Sequence, residues 1–185
     1  WPEAHTIHGH MIHAPPAMRG AFALYKGERE KLEFELFERE TPKGGTAIDV
    51  GANIGFYTLP LARAVGPAGR VFAFEPAPGN VEFLRKNIAA NGYANVTVIP
   101  KAVGAASGAI KLFLAAKNPG GHQTWDMKKQ MSGLGDMPQH YKDLLDDARD
   151  DYHESVAVMQ ISLDEFFKDY EKPIQFMKID VEGAE

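Results

Sequence analysis

Residues 47–62, AIDVGANIGFYTLPLA, constrain this chain most, because they read as a buried strand, a tight turn and a helix joined without a break. Ala47, Ile48 and Val50 form a short apolar run suited to a parallel strand covered on both faces. Gly51 and Gly55 flank a turn in which backbone is expected to approach a ligand closely. The helix is expected to start near Ile54. Its free N–H groups and positive dipole end would then face an anionic group, either a phosphate or an amino-acid carboxylate.

A dinucleotide site places glycine at three positions, G-x-G-x-x-G, to seat a pyrophosphate. Counting from Gly51, the second of these positions holds Asn53 and the third Phe56, which disfavours pyrophosphate. A second strand, RVFAFEP at 70–76, ends in Glu75, a carboxylate able to accept both hydroxyls of a ribose at the carboxyl edge of a neighbouring strand. Pro76 is expected to stop that strand and open the next helix.

Elsewhere the pattern alternates between strands and helices. HTIHGHMIHAPP near the start suggests a short strand or hairpin outside the main sheet. His5, His8, His10 and His13 read there as solvated or edge-strand residues. A metal site is disfavoured, because a strand turns odd and even positions to opposite faces. Residues 27–39 predict a helix with Leu32, Leu36 and Phe37 inward, and TPKGG a loop leading into the first strand. Residues 77–93 predict a second amphipathic helix with Val81, Leu84 and Ile88 on one stripe and Asn91-Gly92 as its stop. NVTVIPKAV is the third strand, and GAIKLFLAA at 108–116 a β run pairing antiparallel beside the core. Residues 117–151 are an irregular insertion interrupted by glycine and proline, suited to a lid or a surface loop. The chain then returns to a strand, a helix capped by Ser162 with Glu165 at the capping-box position, and a fourth strand, IQFMKIDVEG.

DVGANIGFYTLPLA, FEP, NIAANGYANVTVIPKAVG and MKIDVEGAE, in that order, resemble the FkbM-type methyltransferases, a branch of the class I S-adenosylmethionine-dependent enzymes. The resemblance runs from about Gly27 to the last residue. It implies an α/β fold, a doubly wound, mostly parallel Rossmann-like sheet of the class I methyltransferase type. It also implies S-adenosylmethionine as cofactor and methyl transfer to a hydroxyl of a sugar or polyketide-like acceptor. Gly51, Ala52, Asn53, Gly55, Phe56, Glu75 and Pro76 are the expected cofactor contacts at the turn and the second strand. Lys101, Ala102 and Val103 are placed by the resemblance around the adenine. Asp49 is placed under the methionine moiety, although it could equally be a structural carboxylate tied to the amides of the turn.

Methyl transfer requires alignment of acceptor oxygen, methyl and sulfur, and removal of a proton from the hydroxyl. Asp180 and Glu182, two apart at the end of the fourth strand, would share a face, with Val181 turned away. Asp180 is the first candidate for general base or acceptor anchor, Glu182 the second and Lys178 the third. Asp180 could instead cap the following turn or hold the cofactor amino group. His122 in the insertion could reach the acceptor as a base, and Trp125 could stack on a sugar ring, although surface and scaffold roles are the commoner fates of such residues.

A chain of 185 residues with 44% hydrophobic content can bury one sizeable core. Residues 1–40 read as an N-terminal hairpin and helix extension, and 41–185 as the S-adenosylmethionine-binding domain with its insertion. A formal net charge of -5 without a basic run argues against nucleic acid and favours a small-molecule or carbohydrate acceptor. Without cysteine there is neither a disulfide framework nor a thiolate metal site. No apolar run is long enough to span a membrane. Cytoplasm is the expected compartment and a homo-oligomer a possible state. The start at Trp1 suggests lost preceding sequence, and the end at Glu185 suggests that C-terminal strands are missing, with the present ones ordered 3-2-1-4 and one side of the fourth uncovered. Two other classes stand as alternatives. A nicotinamide-dependent oxidoreductase has Asn53 and Phe56 against it, and a noncatalytic S-adenosylmethionine-binding module has the intact Asp180 and Glu182 against it. An amino-methylating nucleic-acid enzyme is disfavoured by IDVEG where an Asn/Asp-Pro-Pro-aromatic motif would stand.

Overall fold

The computed structural model describes residues 4–18, 31–115 and 152–181. His122, Trp125, Glu182 and the insertion at 117–151 lie outside them. The elements run β1 (Ala4–Ile7), β2 (His10–His13), a 3-10 turn (Pro16–Met18), α1 (Lys31–Glu40), β3 (Thr46–Val50), α2 (Thr58–Val65), β4 (Arg70–Phe74) and α3 (Pro78–Ala90). Then come β5 (Val96–Ile99), β6 (Ala102–Val103), β7 (Gly108–Ala115), β8 (Tyr152–Ile161), α4 (Leu163–Phe167) and β9 (Phe176–Ile179).

The central sheet has the order β5-β4-β3-β9 with every neighbouring pair parallel, which is the 3-2-1-4 order expected from the sequence. This is an α/β, Rossmann-like sheet with helices against it. β3 sits between β4 and β9, and all five of its residues are buried, as a strand covered on both faces requires. One face carries Ala47, Leu61, Ala62, Val65 and Val71 against Phe34 and Phe37 of α1. The other packs Ile48, Val50, Phe72 and Phe74 on Phe166, Phe167 and Tyr170 around α4, ring edges meeting ring faces.

A second sheet, β6-β8-β7, pairs β7 antiparallel with β8 as expected, and β6 parallel with β8. Residues 95–103 are therefore not one strand. Pro100 cannot donate to a ladder, so the run breaks after Ile99, and Ala102–Val103 leave for the second sheet.

Several local expectations are corrected. In α1 the inward residues are Phe34 and Phe37, while Leu32 and Leu36 are exposed. Both readings fit a helical stripe. The phenyl rings take the inside because they can meet Phe56, Tyr57 and Phe176. Helix α3 opens on Pro78 rather than Pro76, with Ala77 as its N-cap. Its buried stripe holds Val81, Leu84 and Ile88, and it ends at Asn91 with Gly92 at φ 70°, both as predicted. Ser162 caps α4 by accepting from the Glu165 N–H at 3.2 Å, but the Glu165 carboxylate turns to Ser107 instead of closing the box.

The N-terminal segment is a hairpin, β1 paired antiparallel with β2 across His8 and Gly9, both at positive φ. Its histidines are not all solvated. His10 is buried and shares a 2.8 Å hydrogen bond with the Tyr93 hydroxyl. Burial first, then the neighbouring Arg63 and His8 charges, lower its pKa to about 4.

Candidate cofactor site

The turn after β3 is built by backbone conformations that ordinary side chains avoid: Gly51 at φ 75°, Asn53 at 51° and Gly55 at 99°. The space left by the two missing side chains is used by the chain itself. A Cβ on Gly51 would fall onto the Asp180 carbonyl, and one on Gly55 would meet Leu84 at 2.9 Å. Four of the turn amides are likewise spent internally. Gly51 N–H and Ala52 N–H donate to the Phe74 carbonyl at 3.0 and 2.9 Å, Gly55 N–H to Ala52 at 2.8 Å, and Asn53 N–H to Glu75 at 2.8 Å. These four N–H groups are therefore committed to the protein. The helix also begins at Thr58 rather than near Ile54, so four more residues belong to the turn.

Glu75 follows β4 and is 5% exposed. One carboxylate oxygen accepts from Asn53 N–H, and the other from Ala77 N–H at 2.9 Å and from the Asn80 amide at 3.5 Å. Burial raises its pKa to about 7 against the pull of those donors, and the Asp49 charge pushes the same way as burial. A carboxylate offers about four lone-pair sites, so room remains for a further donor. The same Asn53 keeps its Oδ1 buried with no hydrogen-bond partner among the described residues. A buried acceptor left unpaired costs free energy until a donor arrives, so the pair suits a hydroxyl-bearing ligand such as a ribose.

Asp49 is fully buried in β3. Its Oδ2 accepts from the Thr58 hydroxyl at 2.6 Å, and its Oδ1 lies 3.3 Å from Lys178 Nζ. The Lys178 ammonium, on the neighbouring β9, also donates to the Gly51 carbonyl at 3.0 Å and the Val50 carbonyl at 3.4 Å, and stands 3.6 Å from Asp180 Oδ2. It lies 5.0 Å from the centre of the Tyr57 ring. Asp180 itself has a 59% exposed side chain and is fixed through its backbone, its N–H donating to Val50 at 3.1 Å. Val181 packs on the opposite side against the Ile48 cluster, as strand alternation predicts.

Thus Asp49, Gly51, Ala52, Asn53, Gly55, Glu75, Lys178 and Asp180 gather at the carboxyl ends of β3, β4 and β9, with Pro76 directly after Glu75. Phe56 and Tyr57 follow in the turn before α2. Both rings meet Phe34, with centres 5.7 and 5.9 Å away. Lys101, Ala102 and Val103 follow β5 into the second sheet, where Ala102 is buried. Among the described residues no cluster of histidine and carboxylate groups has the spacing of a metal site, and no helix is long and apolar enough to cross a membrane. Sequence reading missed Thr58, the partner of Asp49, and Asn80, the third donor to Glu75. Their polar side chains at buried positions of amphipathic helices were the available signal.

Comparison with known proteins bears on the same region. The family described as methyltransferase FkbM domain matches residues 49–185. A methyltransferase named sdnD from Sordaria araneosa is 27% identical over 180 residues, covering 89% of this chain and 69% of that protein. A protein-L-isoaspartate O-methyltransferase from Ignicoccus hospitalis is 37% identical over 60 residues, 32% of this chain. The chain spans 28% and 22% of the first two curated relatives it matches. A SAM-dependent methyltransferase structure from Aquifex aeolicus is 30% identical, with a TM-score of 0.37, over 43% of this chain and 44% of that one.

Proposed function

The chain belongs to the FkbM methyltransferase domain family, and on that premise we propose that it takes part in methyl transfer from S-adenosylmethionine to a hydroxyl of a sugar or a small-molecule natural product. The observation that carries the cofactor part is the buried Glu75 carboxylate after β4, bound to the Asn53 N–H, together with the Asn53 Oδ1 that has no partner among the described residues. Two acceptors on hydrogen-bonded residues suit the hydroxyls of a ribose. The internally satisfied amides of the turn argue against a pyrophosphate and therefore against a nicotinamide dinucleotide.

S-adenosylmethionine supplies an electrophilic methyl on a sulfonium centre. The chain's own contribution is electrostatic and positional. Glu75 and Asn53 hold the ribose. Asp49 and Lys178 brace the turn from beneath, and an ammonium with this many oxygen neighbours serves as donor and anchor rather than as base. Asp180, exposed on the open side of Lys178, is the carboxylate free to accept the hydroxyl proton or anchor the acceptor. Glu182 and His122 stay in reserve for that role.

Titration calorimetry with S-adenosylhomocysteine and with NAD separates the readings. Binding of the first alone supports the proposal. Binding of NAD in preference overturns it.

A further inference from the structure

We propose that the N-terminal hairpin is a working part of the cofactor site, and that Asn87 is the positioning residue that connects the two. The inference rests on the cofactor reading above and extends it to a segment that the sequence placed outside the main sheet.

The free edge of β2 presents the backbone groups of Met11 and His13. Residues two apart on a strand repeat about every 6.7 Å, and residues four apart on a helix about every 6 Å, so a helix can offer a matching ladder of side-chain amides. Helix α3 does this with Asn87 and Asn91. Asn91 Oδ1 accepts from Met11 N–H at 2.9 Å, and its amide donates to the Met11 carbonyl at 2.7 Å. Asn87 repeats the pair on His13, accepting at 2.7 Å and donating at 2.9 Å. A strand edge that would otherwise be open is closed by a helix face.

The two asparagines differ in burial and in their third hydrogen bond, which Asn91 donates at 2.8 Å to the Asn87 carbonyl of its own helix. The Asn87 amide also donates to the Ile54 carbonyl at 2.8 Å, and the residue is completely buried. Ile54 lies between Asn53 and Gly55, the two neighbouring positive-φ residues of the turn. Its carbonyl is thus held by the same amide that holds the hairpin. Apolar packing follows the same path, since Ile7, Ile12 and Ala14 of the hairpin segment share one cluster with Ala52, Ile54 and Leu84. The hairpin tip is fixed independently by Arg63, which donates to the His8 carbonyl at 3.0 Å. Seating the hairpin therefore sets the Ile54–Gly55 peptide, one residue after Asn53, whose N–H holds Glu75 and whose Oδ1 is the acceptor left for the ribose.

The test compares Asn87→Ala with Asn91→Ala, using S-adenosylhomocysteine as the probe and melting temperature as the control. Asn87→Ala is expected to weaken binding by roughly tenfold or more, and Asn91→Ala by less than about twofold, because only the first releases Ile54. Coupling is reciprocal, so saturating the wild-type protein with the probe should slow amide exchange at residues 10–14. Unchanged affinity in Asn87→Ala overturns the proposal. So do losses in both variants that merely track their melting temperatures. Should Asn87→Ala fail to fold, amide exchange in the wild type decides, and an unresponsive hairpin overturns it. A wild-type protein that does not bind the probe overturns the cofactor reading itself, a result distinct from every variant outcome.

Discussion

The turn between β3 and α2 and the exposed side of β9 meet at Gly51, yet they are built differently. At the turn, Asp49 is fully buried and Glu75 nearly so, and the amides of Gly51, Ala52, Asn53 and Gly55 have partners inside the protein. On β9, Met177 and Ile179 are 41% and 50% exposed, and among the described residues the Asp180 side chain is held by its 3.6 Å approach to Lys178. Preorganised groups bind without a reorganisation cost, which suits a cofactor of fixed shape. A carboxylate on an open edge suits an acceptor that differs from one methyltransferase to the next. Lys178 is the joint between the two regions, and the sharpest tests act on it or on one side of it.

The largest effect is expected at that joint. Lys178→Met leaves the Asp49 carboxylate buried without its cation, which costs on the order of 3 to 5 kcal/mol. Adding Asp49→Asn removes the unpaired charge and should recover most of that loss, read by denaturant unfolding. If the double variant also recovered full cofactor affinity relative to Asp49→Asn alone, Lys178 would be a charge partner only, and the joint would lie elsewhere.

On the open side, Asp180→Asn keeps size and removes basicity. Turnover should fall by roughly a hundredfold or more while S-adenosylhomocysteine affinity barely moves. Loss of affinity with turnover intact would transfer Asp180 to the cofactor half and erase the contrast.

On the built side, Glu75→Ala should weaken S-adenosylhomocysteine binding by roughly tenfold to a hundredfold, about 1.5 to 3 kcal/mol for a buried charge-assisted contact. Unchanged affinity removes Glu75 from the site. A smaller effect follows from its pKa near 7. A ribose hydroxyl donates best to the ionised carboxylate, so affinity should rise several-fold between about pH 6 and pH 8 and be flat in Glu75→Gln. Stability moves the opposite way. The folded pKa lies above the unfolded 4.5, so the stability Glu75 contributes is complete below about 4.5 and lost as pH rises through about 7.

What the sequence disclosed and what it hid divide along chain separation. The order of the central strands, the positive-φ turn and the carboxylate after β4 were legible because strand, turn and helix signals are local. The Lys178 contacts with Val50 and Gly51 span 128 and 127 residues, and the Asn87 and Asn91 ladder spans 74 and 80, so no local pattern could announce them. In α1, Leu32 and Leu36 looked as eligible as Phe34 for the inside. Only the rings waiting on β9 and in the turn decided between them. Pro100 was visible, but its consequence depended on a second sheet whose other strands lie further along the chain.

The smallest effect tests whether the open side is open. Ile48 of β3 is completely buried between β4 and β9, whereas Ile179, one strand away, is half exposed. Ile→Val removes one methylene from each. At Ile48 the loss of burial and the small void should together cost about 0.5 to 1.5 kcal/mol. At Ile179 the deleted group already contacts water in part, and a surface substitution of this kind should stay within about 0.5 kcal/mol. Paired denaturant titrations resolve that difference if their slopes agree. A cost at Ile179 equal to that at Ile48 would mean that this face of β9 is covered in solution. The strand that carries Asp180 would then be covered on the face opposite that carboxylate, and the contrast between a built turn and an open β9 would fail.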